Sequence, residues 1–249
     1  MASGFSNFPV DLPGLAKRDV FVTKAGDGGE VYVLVHGIGV SSRYFLPLAR
    51  ELALKNTVYV VEMPGFGRTD EPHRPLAMAD FARVLWAALD AAGLDQAVLV
   101  GHSMGSQVVT EMALQRPAAT RRLVLLGPTV DDARRTVRAQ AGRLLLDTLR
   151  EPAGVNRVVL SDYLRCGPRW YVKTLRKMME HRLEERIGLV EAPVLIAAGT
   201  ADPIAPRPWL ERLAALAREA EVRQVDGAAH VLMYRDPEAV AGMLRTVAP

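Results

Sequence analysis

The sequence predicts an α/β fold: a mostly parallel sheet with helices on both faces and an inserted helical cap. Three observations carry that expectation. Short apolar, β-branched runs alternate with stretches of helical spacing through most of the chain, the pattern of βαβ units. One such run, Val98-Leu99-Val100, passes at once into a helical pattern through Gly101-x-Ser103-x-Gly105. Between residues 129 and 190 the strand pattern stops and only helical spacing remains, over a length no ordinary α/β connection needs.

In chain order, residues 1–18 hold Pro9, Pro13 and Gly14 without any period and are expected to form a lead-in over the surface. Residues 19–24 alternate as a strand, 25–29 form a turn, and 31–35 make a fully apolar strand ending in His36-Gly37-Ile38-Gly39. A helix is expected over 42–54, a strand over 57–61, then a glycine-rich loop over 62–70. The helix over 78–92 closes on Gly93, a good residue for a left-handed cap. The helix after Ser103 stops near Pro117, and 122–126 form the next strand. After the long helical stretch come a strand over 193–198, a helix over 208–219, a strand over 221–225 and a helix over 237–247. The expected division is a core of residues 1–128 and 191–249 with a cap over 129–190. The cap begins just after the strand that follows the Ser103 helix, so it overhangs the carboxyl ends of the strands, where parallel sheets bind ligands.

Composition narrows the function classes. With 249 residues, 49% hydrophobic and 24% charged, the chain suits one packed domain with an insertion. The net charge of +3 is small and evenly spread, which argues against nucleic acid. No apolar run is long enough to span a membrane, and the first residues lack a basic segment followed by an apolar one. The single cysteine, Cys166, cannot pair within the chain, so the expected setting is cytoplasmic. No His/Cys/Asp cluster has metal-ligand spacing, and no cofactor is expected. The run Gly37-x-Gly39-x-x-Ser42 between strands imitates a dinucleotide fingerprint but lacks its third glycine.

The chemistry lies in the Gly-x-Ser-x-Gly turn. A strand that becomes a helix within about one residue forces its central residue into strained angles, and side chains at the flanking positions would strike the neighbouring chain. Ser103 would then project its hydroxyl from the top of the sheet, beside the backbone N–H of Met104 at the positive end of the new helix. A serine needs a base, and the base an orienting acid. His230 follows the strand over 221–225 and Asp202 follows the strand over 193–198, both at the carboxyl edge. Asp131 and Asp132, after the strand over 122–126, are the alternative acids.

The order Ser103, Asp202, His230 is that of the α/β hydrolases, and the chain resembles that family over essentially its whole length. The matching pieces are His36-Gly37 after a strand, Pro64-Gly65-Phe66-Gly67, the Gly-His-Ser-Met-Gly elbow, the Gly-x-x-Asp202 segment and Gly227-x-x-His230. One departure is Glu62, where the family often has Asp; that acid is usually structural. The resemblance implies an oxyanion hole from the backbone N–H groups of Ile38 and Met104. It implies a serine hydrolase acting by acyl transfer, by default on a carboxylic ester of a small or medium hydrophobic compound. Two alternatives stay open: hydrolysis of a C–C bond in a β-diketone-like or dienoate compound, and a ligand-binding domain with little turnover. The expected partner is a small-molecule substrate.

Other residues have plainer expectations. His36 should brace the oxyanion loop, His102 should point away from Ser103, and His73 and His181 should lie on the surface. Trp170-Tyr171 and Met178-Met179 should pack within the cap. The cap holds 13 arginines and lysines against 8 acidic residues. They are expected to be solvated helix faces, or alternatively a cationic mouth for carboxylate-bearing substrates formed by Arg165, Arg169 and Lys173.

Overall fold

The computed structural model describes residues 4–12, 15–151 and 153–246. In chain order the elements are β1 (Gly4–Leu12), β2 (Leu15–Ala25), β3 (Val31–Val35), α1 (Leu46–Ala53), β4 (Thr57–Val61), α2 (Met78–Ala91), β5 (Ala97–His102), α3 (Met104–Gln115) and β6 (Thr120–Leu126). Then follow α4 (Val137–Arg150), α5 (Ala153–Cys166), α6 (Pro168–Glu180), α7 (Leu183–Arg186), β7 (Val194–Gly199), α8 (Arg207–Leu216), β8 (Ala220–Val225), α9 (Leu232–Arg235) and α10 (Pro237–Thr246). The strands make one sheet in the order β1-β2-β4-β3-β5-β6-β7-β8. From β4 to β8 every pairing is parallel, while β2 runs antiparallel to both β1 and β4. This is the predicted α/β class.

The apolar strands read as continuous runs because both their faces are buried. On β3, Val33 and Val35 join one core and Tyr32 and Leu34 the other. The first core packs α2 and α3 through Phe81, Trp86, Val108 and Met112, and the second packs α1 and α10 through Leu48, Leu52, Val240 and Leu244. Chain direction across the sheet reverses at the β3–β5 pair, so the crevice at their carboxyl ends is where such a sheet takes a ligand. The loops ending in Ile38 and Ser103 flank that crevice.

Two expectations are corrected. The lead-in is a strand: β1 pairs with β2 in register from Gly4↔Lys24 to Val10↔Arg18, with Pro9 opposite Asp19. An edge strand needs hydrogen bonds on one side only, so a proline and an irregular pattern are tolerated there. Val10, Val20 and Val22 are buried in the core and anchor this hairpin. Pro13, Gly14 and the predicted end of the last helix at Val247 lie outside the described residues. The helix expected over 42–54 instead opens as a 3₁₀ turn, Ser42–Phe45, before α1, whose Pro47 stands in the first turn where its missing N–H leaves no bond unmade.

Between β6 and β7 the chain forms α4 to α7, which pack over the strand ends. Gln107 on α3 holds the base of this insertion, its amide donating to the carbonyls of Thr129 (3.0 Å) and Met178 (3.1 Å). Near the insertion's end, Arg186 and His181 both bond the buried carboxylate of Glu111 on α3. Those charges draw the Glu111 carboxyl below its usual value even though burial pushes it up.

The α3 helix runs so close to β3 that a Cβ on Gly105 would lie 2.2 Å from the Val35 carbonyl oxygen and 2.6 Å from that of His36. Backbone oxygens cannot swing aside. Gly105→Ala is therefore expected to destabilise the fold by about 3 kcal/mol, at the upper end of overpacking costs, seen as a lower urea midpoint. An unchanged midpoint would mean that the α3–β3 approach is looser than described.

Candidate active site

Ser103 joins β5 to α3 at φ 55 and ψ −121, and among the described residues it is the one non-glycine with positive φ. Such angles are costly for a residue with a Cβ. The turn leaves no room at its flanks: a Cβ on Gly101 would meet the Gly105 carbonyl oxygen at 2.3 Å. Ser103 is anchored through its N–H to the Leu126 carbonyl at 2.9 Å. Met104 is the first residue of α3, where the N–H has no acceptor within the helix. Gly37 lies against this turn, its missing Cβ only 3.1 Å from the Ser103 Cβ, and Ile38 follows at the rim of the same cavity.

Asp202 and His230 are brought together from the ends of β7 and β8. The Nδ1–H of His230 donates to Asp202 Oδ2 at 2.8 Å, while Asp202 Oδ1 accepts the N–H groups of Ile204 (2.7 Å) and Ala205 (3.1 Å). Both side chains are almost wholly buried. Gly127 admits this pair, since a Cβ there would sit 2.9 Å from the imidazole. Burial draws the His230 imidazolium down, but the charge and hydrogen bond of Asp202, with Asp147 and Glu151 behind them, hold it up at about 9. The alternative acids are engaged elsewhere. Asp131 pairs with Arg143 at 2.8 Å and accepts the Ala133 N–H, and Asp132 pairs with Arg212.

The other histidines divide in ways the sequence foresees only in part. His36 is fully buried and braces its loop: its Nδ1–H donates to the Gly37 carbonyl at 2.8 Å and its Nε2 accepts the Met63 N–H at 3.0 Å. His102 sits at the centre of a chain of hydrogen bonds. The Gly37 N–H donates to the Tyr44 hydroxyl (2.6 Å), which donates to His102 Nδ1 (2.8 Å), and His102 Nε2–H donates to the carbonyl of His230 (3.0 Å). That chain joins the Ile38 loop to the His230 loop beneath Ser103. Burial pushes both His36 and His102 below the usual histidine value, His102 far below. His73 is exposed, as expected, but His181 is not a surface residue; its side chain is only 10% exposed, against Glu111. Glu62 is held in a structural network, accepting the Ser42 hydroxyl and the Arg68 N–H, each at 2.6 Å.

A cavity of about 770 Å³ opens over Ser103 and His230, walled by α4, α5 and α6 through Leu144, Val155, Val159, Tyr163 and Leu175. Tyr171 and Met178 also face it, whereas Trp170 packs on Phe66 at 6.3 Å between ring centroids. No lysine or arginine is among the described lining residues; the charged ones are Asp147, Glu151 and His230. The cationic mouth is therefore corrected. Arg165 and Arg169 are exposed to solvent, Lys173 pairs with Glu71 at 3.1 Å, and none of the three is among the lining residues. Gly39, read as one part of the dinucleotide imitation, is closed over by Tyr163, whose ring would lie 2.5 Å from an added Cβ. Among the described residues no group of three or more His, Cys, Asp and Glu is arranged to hold a metal, and no helix is long and apolar enough to cross a membrane.

The sheet order, with its crevice at the β3–β5 reversal and a strained serine at its edge, defines an α/β protein with a candidate site at the strand carboxyl ends. Residues 32–243 match the alpha/beta hydrolase family, and the chain belongs to it. A pimeloyl-[acyl-carrier protein] methyl ester esterase of Xanthomonas campestris pv. campestris is 28% identical over 245 residues, 87% of this chain and 94% of the relative. The chain is also 29% identical over 255 residues to polyketide synthase ThaQ of Burkholderia thailandensis, but that match takes in 92% of this chain and only 12% of the synthase. Among solved structures, a thermophilic esterase from Thermogutta terrifontis superposes with a TM-score of 0.82 over 97% of each chain, at 20% identity. Among the relatives are hydrolases of more than one kind, one of them named for 2-hydroxy-6-oxononadienedioate.

Tyr44, His102, Asp147 and Glu151 escape a motif reading, although His102 lies within the elbow itself. Tyr44→Phe would strand the buried Gly37 N–H and His102 Nδ1. We expect it to cost about 1–3 kcal/mol of stability, the penalty of an unpaired buried donor, measured by urea unfolding. A neutral result would mean that water replaces the hydroxyl.

Proposed function

We propose that the protein is a serine hydrolase that cleaves a neutral, largely hydrophobic carboxylic ester by acyl transfer. The observation that carries this reading is the 2.8 Å bond from His230 to Asp202 in the cavity that holds the strained Ser103. In it, His230 Nε2 takes the Ser103 proton as the hydroxyl attacks the ester carbonyl, and the backbone N–H groups of Ile38 and Met104 receive the developing oxyanion. Asp202 fixes the tautomer and balances the imidazolium. The imidazolium gives its proton to the departing alkoxide, and His230 then activates water to release the acid. The insertion of residues 129–190 acts as a cap that keeps the acyl group among apolar side chains.

The cavity's chemistry supports the ester over the C–C alternative. A dienoate carries a carboxylate, and lysine or arginine binds that group most strongly. The described lining offers two buried carboxylates and no lysine or arginine. The esterase named among the relatives points the same way. The His230–Asp202 bond beside the strained Ser103 favours turnover over a merely binding domain.

Ser103→Ala is expected to lower kcat on the order of 10⁶-fold, and a fluorophosphonate probe should label Ser103 in the parent protein. Asp202→Asn should cost on the order of 10⁴-fold through the wrong tautomer, with Asp131→Asn nearly silent. A tenth of the activity surviving Ser103→Ala, or the reverse ranking of the two aspartates, would sink the assignment.

The substrate class has its own test. A short neutral ester should have a higher kcat/KM than its analogue with a terminal carboxylate, by about tenfold or more, since each 1.4 kcal/mol of unfavourable burial or repulsion is a factor of ten. A preference for the carboxylated ester would restore the cationic mouth.

A further inference from the structure

The backbone of His230 is gripped from outside the core. Its N–H donates to Asp147 Oδ1 at 2.9 Å, and the next N–H, of Val231, donates to Glu151 Oε1 at 2.8 Å. Asp147 stands in the last turn of α4 and Glu151 is the residue that ends the helix; their carboxylates meet successive N–H groups, and both residues are more than nine-tenths buried. Carboxylates are expensive to bury. If the cap only covered the cavity, leucines at these positions would do so without that cost. Burial pushes both carboxyls above their usual values, and the imidazole of His230 partly counteracts it. A comparable contact holds the other rim: on α5, buried Asp162 accepts the Ser41 N–H (3.1 Å) and hydroxyl (2.7 Å) and pairs with Arg43.

We propose that Asp147 and Glu151 are positioning residues for His230, so that the cap holds the base in register as well as covering the cavity. This rests on His230 being the base. With its carbonyl bonded to His102 and its side chain to Asp202, the residue is then fixed at N–H, C=O and imidazole. The groups facing its ring are Asp202 after β7, His102 on β5, Asp147 on α4 and Glu151 just after it; Arg150 and Arg235 bear on the two acids in turn. Helix α4 therefore contributes both a grip and negative charge, and displacing the cap removes the two together.

The test separates grip from charge. Asp147→Asn and Glu151→Gln keep an oxygen that can accept the N–H but remove the charge, whereas Asp147→Ala removes both. For each variant, kcat and KM on a neutral ester would be followed against pH, and the His230 ring titrated by NMR of histidine-labelled protein. We expect Asp147→Ala to lose on the order of 10²-fold in kcat at nearly unchanged KM, the effect of a misplaced catalytic group. Asp147→Asn should keep kcat within about tenfold at high pH while the His230 titration and the acid limb of kcat/KM move down together by about one unit. A wild-type kcat in Asp147→Ala, or a His230 titration unmoved in both amide variants, would overturn the proposal. Should Asp147→Ala fail to fold, the amide variants and the titration decide. Ser103→Ala run alongside separates the two ideas: turnover surviving there would sink the hydrolase reading, while the NMR titration still reports on the grip.

Discussion

The strand β5 becomes the helix α3 within one residue, and that turn holds Ser103 at φ 55 and ψ −121, angles costly for a residue with a Cβ. The carbonyls of Val35 and Gly105 crowd the turn so closely that only glycines can stand at 101 and 105. That crowding places the start of α3 against the end of β3, which brings the Ile38 loop to the serine. The strain is thus offset by close backbone packing between β3, β5 and α3, the most deeply buried part of the sheet. Such strain persists only where the surroundings over-determine it.

From that turn the rest of the site is linked by hydrogen bonds between residues remote in sequence. Gly37, Tyr44, His102 and His230 come from three separate loops and strands, yet each holds the next within 3.0 Å. A buried chain of this kind leaves few alternatives for any member, since each broken bond strands a polar group away from water. Geometry at the Ile38 loop is therefore not independent of geometry at His230.

Much of this was legible in the residues alone, for identifiable reasons. The strands β3 to β7 announce themselves because burial on both faces demands unbroken apolar runs. Ser103 and Asp202 stand out because each closely follows such a strand, and His230 because it follows the more polar β8, so short-range pattern suffices to place them at one edge. What stayed hidden depends on long-range partners. β1 has no apolar alternation because an edge strand buries little. His181 reads as a surface residue until Glu111, 70 positions earlier, is seen beside it. Asp147 and Glu151 read as the polar face of an amphipathic helix, since helical spacing alone does not say whether a carboxylate meets water or a backbone N–H. For the same reason the cap's excess of arginine said nothing about the cavity, whose walls are drawn from the opposite faces of those helices.

The three buried histidines couple the site to proton uptake on folding, in opposite senses. His36 and His102 are held below the ordinary histidine value of about 6.5. As pH falls beneath 6.5 the unfolded chain takes up their protons and the native one does not, so they favour unfolding in acid. His230, held up at about 9, keeps a proton that the unfolded chain has lost. Its stabilisation is complete below about 6.5 and disappears as pH rises through about 9. The histidine contribution to folding therefore peaks near pH 6.5 and declines on both sides. In the proposed hydrolysis, turnover through a neutral imidazole lies on the alkaline slope, so the proton that His230 would shed there is one that folding favours keeping.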